Sequence, residues 1–176
     1  MMTMTWTAPV PEPPSGDEPL VGPDRPILEA FLAQERYTLL NICAGLTAEQ
    51  LAQRPAPPSN LSLLGLIRHL AKVERVWFRE RAAGQSLPPM YDPAKGKDAD
   101  FEDLDPALAE NDYARYTQEC RLATEAAAVM GFDDTFELRG DTYSVRLIHA
   151  HMIAEYARHN GHADLLRELI DGQTGR

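Results

Sequence analysis

Residues 144–172, SVRLIHAHMIAEYARHNGHADLLRELIDG, decide the fold. The stretch opens on a serine, a good helix cap, and closes on a glycine, a common helix stop. No proline interrupts it, and Ile148, Met152, Leu166 and Leu169 recur at helical spacing. At ~1.5 Å per residue such a helix is roughly 40 Å long. That is bundle length, so the rest of the chain is expected to supply partners of the same kind.

Three other segments meet that expectation. The first predicted helix follows Asp24 as N-cap, with Pro26 in its first turn, where proline is tolerated. Leu28, Phe31, Leu32, Glu35, Leu39 and Ile42 then mark one face, and Gly45 ends it. LTAEQL (46–51) reads as a short turn: Thr47 and Gln50 form a capping box, with Leu46 and Leu51 at the staple positions. The proline-rich 54–60 breaks the chain again. The second long helix starts near Asn60 or Ser62 and runs to Gly84, SLLGLIRHLAKVERVWFRERAAG, with Leu66, Leu70, Val73 and Trp77 as its apolar stripe. Residues 85–104 form a connection longer than usual, expected to be functional or a crossover between distant helix ends. The third helix opens at Asp105-Pro106, cap then first-turn proline. Ala109, Tyr113, Tyr116, Cys120, Ala123, Ala127 and Met130 line it, and Gly131 ends it. Residues 131–143 read as a turn-rich connection. No alternating strand pattern stands out, so the expected fold is all-α, a four-helix bundle. Residues 25–176 form one domain on this reading. Residues 1–24, with prolines at 9, 11, 13, 14, 19 and 23, form an extended arm lying on the body.

Composition narrows the function. A chain of 176 residues can bury about two thirds of its unfolded surface, so no disulfide or metal is needed just to fold. The net charge of −10 argues against a nucleic-acid partner, since phosphate binding needs a basic face. No run of 18 apolar residues spans a membrane, and the start has neither the basic nor the apolar region of a signal peptide. Two cysteines without a CxxC, Cys43 and Cys120, fit reduced, buried thiols in a cytoplasmic protein.

One face of the long helix carries an anomaly. The row Ile148, Met152, Glu155, His159, His162, Leu166, Leu169 is apolar at both ends and polar in the middle. A buried unpaired carboxylate is costly, so Glu155 must be paired, cation-bound, protonated or placed in a wet cleft. Glu155 and His159 are four apart and project from one face, the spacing with which a helix chelates one ion. His151 and His159 are eight apart, ~12 Å along the axis, too far for one small ion; His149 and His151 are therefore read as non-ligands. His69, mid-way along the second long helix, also faces inward. Two arrangements fit this pattern: a three-ligand metal site of His69, Glu155 and His159 with open coordination positions, or a buried Glu–His hydrogen-bonded pair.

Read together, SLLGLIRHLAKVERVWF and HMIAEYARHNGHADLLRELIDG resemble the DinB-like superfamily of four-helix metalloenzymes, over about residues 25–173. The superfamily takes its metal ligands from one residue of the second helix and two of the fourth. The related mycothiol-dependent maleylpyruvate isomerases use histidine, glutamate and histidine, which the motifs carry onto His69, Glu155 and His159. The resemblance implies a divalent metal, with zinc expected and nickel, iron or manganese compatible with the same donors. It also implies a low-molecular-weight thiol as co-substrate and an electrophile as partner, in an S-transferase type of reaction. Those isomerases carry a further C-terminal domain, whereas this sequence stops at Arg176, so isomerase activity is not expected. Where relatives often place an acid or a glutamine, this chain has His162, a cleft residue, proton carrier or fourth ligand, or a residue that hydrogen-bonds a carboxylate or water in the bundle. Arg158 is a candidate anchor for an anionic substrate. Glu74, Glu35 and Asp164 are candidates to accept the second imidazole N–H of a ligand. The alternatives are a non-catalytic, stress-related or small-ligand-binding helical protein, and a metal-dependent hydrolase. A homodimer is the expected assembly.

Overall fold

In the computed structural model, which describes residues 5–16 and 19–174, the chain is mostly helical. Four long helical segments carry the core: α1 (Asp24–Cys43), α3 (Leu63–Glu74, continued as a π-helix over Arg75–Ala82), α5 (Ala109–Ala128) and α6 (Val145–Asp171). Between them lie the short α2 (Ala48–Ala52) and α4 (Ala99–Glu102) and a hairpin of β1 (Thr135–Leu138) and β2 (Asp141–Ser144). α1 packs along α6 and α3 along α5, with α3 also against α6. One apolar core runs between them, including Leu39, Leu66, Leu70, Phe78, Tyr116, Met152 and Tyr156.

Local chemistry sets the ends. Ser62 Oγ accepts the Gly65 amide, and Ser144 Oγ accepts that of Leu147. Gly172 closes α6 in the left-handed region, where glycine has no side-chain penalty. The capping box of Thr47 and Gln50 is complete, and Leu46 and Leu51 are buried. α1 starts one residue earlier than the sequence suggests: Asp24 is inside the helix, Pro23 holds the cap position, and no side chain caps it. Asp24 is instead paired with Arg146. The arm is anchored near its start. Ala8 is buried and exchanges backbone hydrogen bonds with Leu46 and Gly45, and Trp6 packs edge-on against Tyr113.

Two corrections concern the helical stripes. On α3 the core positions after Leu70 are Ala71, Glu74 and Phe78, while Val73 and Trp77 are only half-buried. On α6 the buried seam is Ile148, His149, Met152, Tyr156, Asn160, Ala163 and Leu166, and Leu169 is exposed. In both helices a polar residue (Glu74, Asn160) holds a core position, so hydrophobicity alone put the stripe one residue out of phase. A third correction is the hairpin, which replaces the expected turn-rich connection over 131–143 and brings a sheet into a chain expected to have none. Its two-residue turn, Arg139-Gly140, has positive φ at both positions, as the favoured hairpin turn requires. Arginine at the first of them hides that signal. The long 85–104 connection contains α4, which folds back onto α3.

Candidate metal centre

Behind the site the apolar core holds a buried polar network. Glu74 is completely buried, takes two 2.6 Å hydrogen bonds from Arg36 and one of 2.8 Å from the Tyr156 hydroxyl. Tyr156 shares a 2.9 Å hydrogen bond with Tyr116. Arg75 and Arg79, four apart in the π-helix, both reach Glu119. These contacts tie α1, α3, α5 and α6 together and set the rotation of α6. Tyr156 faces the core, so its neighbour Glu155 faces the groove between α6 and α3.

His69, Glu155 and His159 meet in that groove. The Nε2 atoms of both histidines lie 3.2 Å from the same oxygen, Glu155 Oε1. The side chains are 19%, 21% and 12% exposed, so the group lines a cleft and is not sealed in the core. One donor atom from each lies within 4.8 Å of the other two. Any three points so close share a centre at most about 2.8 Å from each, under ~1 Å from the ~2.0–2.2 Å of zinc–ligand bonds. The donor types, two imidazoles and a carboxylate, are those of first-row divalent ions. Hydrogen bonds from His159 and then His69 hold the Glu155 carboxyl well below the usual range, against the opposing effect of burial. Burial disfavours charge on His69, but hydrogen bonds to Asp100 and Glu155 outweigh it and raise its pKa.

The surroundings of His69 come from α4. Its Nδ1 lies 2.8 Å from Asp100 Oδ2, and Phe101 stacks on the ring with centroids 4.8 Å apart. Sequence reasoning missed both residues, because they sit in the long connection where no periodicity assigns a direction. The three acids it offered as imidazole partners do other work. Glu74 binds Arg36, Glu35 accepts from Asn160, and Asp164 has a buried oxygen without a partner.

The remaining histidines separate cleanly. His162 Nδ1 is 3.5 Å from His159 Nδ1, at the rim of the groove. Burial, then His159 and Arg158, lower its pKa. Arg158 is exposed, with no hydrogen bond or ion pair among the described residues. His149 is buried between Phe78 and Phe132 with Nδ1 on the Val145 carbonyl, and His151 packs on Trp77. Neither joins the triad. Burial pushes the thiols of Cys43 and Cys120 up to about 12, so neither is an activated nucleophile.

No helix among the described residues is long and apolar enough to cross a membrane. No curated protein and no solved structure gives a significant match to the chain. A family model described as Mycothiol-S-transferase, by contrast, matches residues 27–172, which include all four long helices apart from the first residues of α1. The chain belongs to the mycothiol-S-transferase family, a DinB-like family related to mycothiol enzymes.

Proposed function

We propose that the protein is a metal-dependent thiol S-transferase in which His69, Glu155 and His159 hold one divalent ion, zinc by preference, and mycothiol is the thiol. The observation that carries this reading is the convergence of two imidazole Nε2 atoms, from two different helices, on one carboxylate oxygen. The four long helices are read as one bundle closing around that site, within a single domain of residues 25–176.

When bound, such an ion supplies a Lewis acid that favours thiolate over thiol at neutral pH. The chain's own part is positioning. Glu155 brings the negative charge that a dication requires, and the two histidines set its direction. The Glu74–Arg36–Tyr156 network fixes the rotation of α6 and hence of both α6 donors. His162 is a further imidazole beside the triad, at the rim of the groove. In the transfer, an S–C bond forms at an electrophilic carbon as that carbon's bond to its leaving group breaks, the leaving group departs with the electron pair, and the thiol proton goes to His162 or solvent. Cys43 and Cys120 take no part.

The test is thiol consumption with a model electrophile by zinc-loaded wild type and Glu155→Gln. The proposal expects a wild-type rate well above background and a variant at background. Equal background rates for both would favour a non-catalytic protein, and product without added thiol would favour a hydrolase.

A further inference from the structure

Four-residue α4 is too short to be stable alone, and two α3 side chains, Arg68 and Lys72, hydrogen-bond to it. Arg68, buried, donates from Nε to the Asp100 carbonyl (3.0 Å) and from Nη2 to that of Ala99 (3.1 Å), and its Nη1 reaches Asp112 at 2.9 Å. The Tyr91 ring covers the Arg68 guanidinium at 4.2 Å, and its hydroxyl donates to the Arg68 carbonyl. Lys72 Nζ reaches both the Lys97 carbonyl and Asp100 Oδ1. With its backbone held at both carbonyls, α4 presents two side chains to one imidazole. Asp100, only 2% exposed, meets the edge of His69, and Phe101 covers its face.

A carboxylate without a proton can only accept, so the 2.8 Å contact places a proton on His69 Nδ1. Nδ1 is thereby committed to Asp100, and Nε2, 3.2 Å from Glu155 Oε1, is the ring atom left to face an ion; a divalent ion would displace the proton with which Nε2 meets Glu155. From this geometry we infer that Asp100 is a positioning residue: it fixes the tautomer and orientation of His69 for divalent-metal binding, and Arg68, through the α4 backbone, holds Asp100 for that task. This rests on the metal reading proposed above. Carboxylates in this relation typically account for 10–100-fold in metal affinity. Lys72 Nζ meets the other carboxylate oxygen at 3.2 Å from a side chain 37% exposed, a solvent-screened contact, and the His69 bond does not pass through it.

The experiment titrates cobalt into the full metal-free chain by visible absorption, for wild type, Asp100→Ala, Asp100→Asn and Lys72→Met. Circular dichroism of each metal-free form checks the fold. The expected result is a 10–100-fold weaker Asp100→Ala. Asp100→Asn, which keeps a neutral acceptor, falls between it and wild type, and Lys72→Met stays within about threefold of wild type. Long-range ¹H–¹⁵N spectra of the zinc-loaded wild type and Lys72→Met should show His69 protonated at Nδ1, a signature that loop packing alone would not produce. If wild type binds cobalt and Asp100→Ala binds it equally, or if Lys72→Met weakens it as much as Asp100→Ala, the role of Asp100 is refuted while the metal site stands. If wild type binds none, the metal reading falls and this inference with it.

Discussion

Replacing Glu74 with glutamine keeps the volume of a fully buried side chain and removes its charge, so no cavity contributes to the result. What is lost is the partner of Arg36, whose side chain is 15% exposed and whose remaining side-chain hydrogen bond is to Thr124. Breaking a buried pair from one side costs about 3–5 kcal/mol. The partial exposure of Arg36 puts the expectation near the lower end, about 3 kcal/mol. For a domain of this size that is a melting-point drop of about 6–12 °C, or a urea midpoint lower by ~1–1.5 M. The companion variant removes both charges, Arg36→Met with Glu74→Met. It should recover most of the loss, because the desolvation cost of both ions disappears together. Urea denaturation of wild type, Arg36→Met, Glu74→Met and the double variant closes the cycle, with a coupling of about 2–4 kcal/mol expected. A loss under ~0.5 kcal/mol in Glu74→Gln would refute the view that this pair sets the packing of α6.

Other consequences can be checked separately. With thiol pKa values of about 12, Cys43 and Cys120 should react with a disulfide reagent at pH 8 roughly a thousandfold more slowly in the native protein than after unfolding; fast native labelling of either contradicts the buried placement. Burial lowers the pKa of His149, so below the ordinary imidazole value of ~6.5 the unfolded chain binds the extra proton. The stability His149 contributes is therefore intact above ~6.5 and lost as pH falls through the window below it. The stability deficit of His149→Met should narrow by up to ~1.4 kcal/mol per pH unit in that window, and a constant deficit from pH 7.5 to 5.5 would contradict this. A side chain at Gly65 would meet Ser62 Oγ at 3.0 Å and Phe101 Cδ1 at 3.1 Å. Gly65→Val should thus cost about 2 kcal/mol or more in chemical denaturation, and a neutral result would mean that α4 does not pack as described.

The elements with strong local signals were legible from the chain alone. The Thr47–Gln50 box, the Ser62 and Ser144 caps and the Gly172 stop depend on a few adjacent residues, and each is where those residues put it. The convergence of His69 with Glu155 and His159 could also be read, because polar residues beside an apolar stripe must face something. The phase of the stripes could not, since Glu74 and Asn160 occupy core positions that hydrophobicity assigns to neighbours. Arg139 in the hairpin turn conceals a conformation that asparagine or glycine would have announced. Asp100 and Phe101 were out of reach for a different reason. Their direction is fixed by Arg68, 32 residues from Asp100 in the chain, and no local pattern encodes that contact.

Metal content tests the central claim most directly. Protein purified without a histidine tag is incubated with zinc, freed of loosely bound ion by gel filtration, and analysed by mass spectrometry for metal per chain. The account predicts about one ion per wild-type chain, and a loss of most of it in His69→Ala and in His159→Ala. Less than about a tenth of an ion per wild-type chain, or unchanged content in both variants, would contradict it.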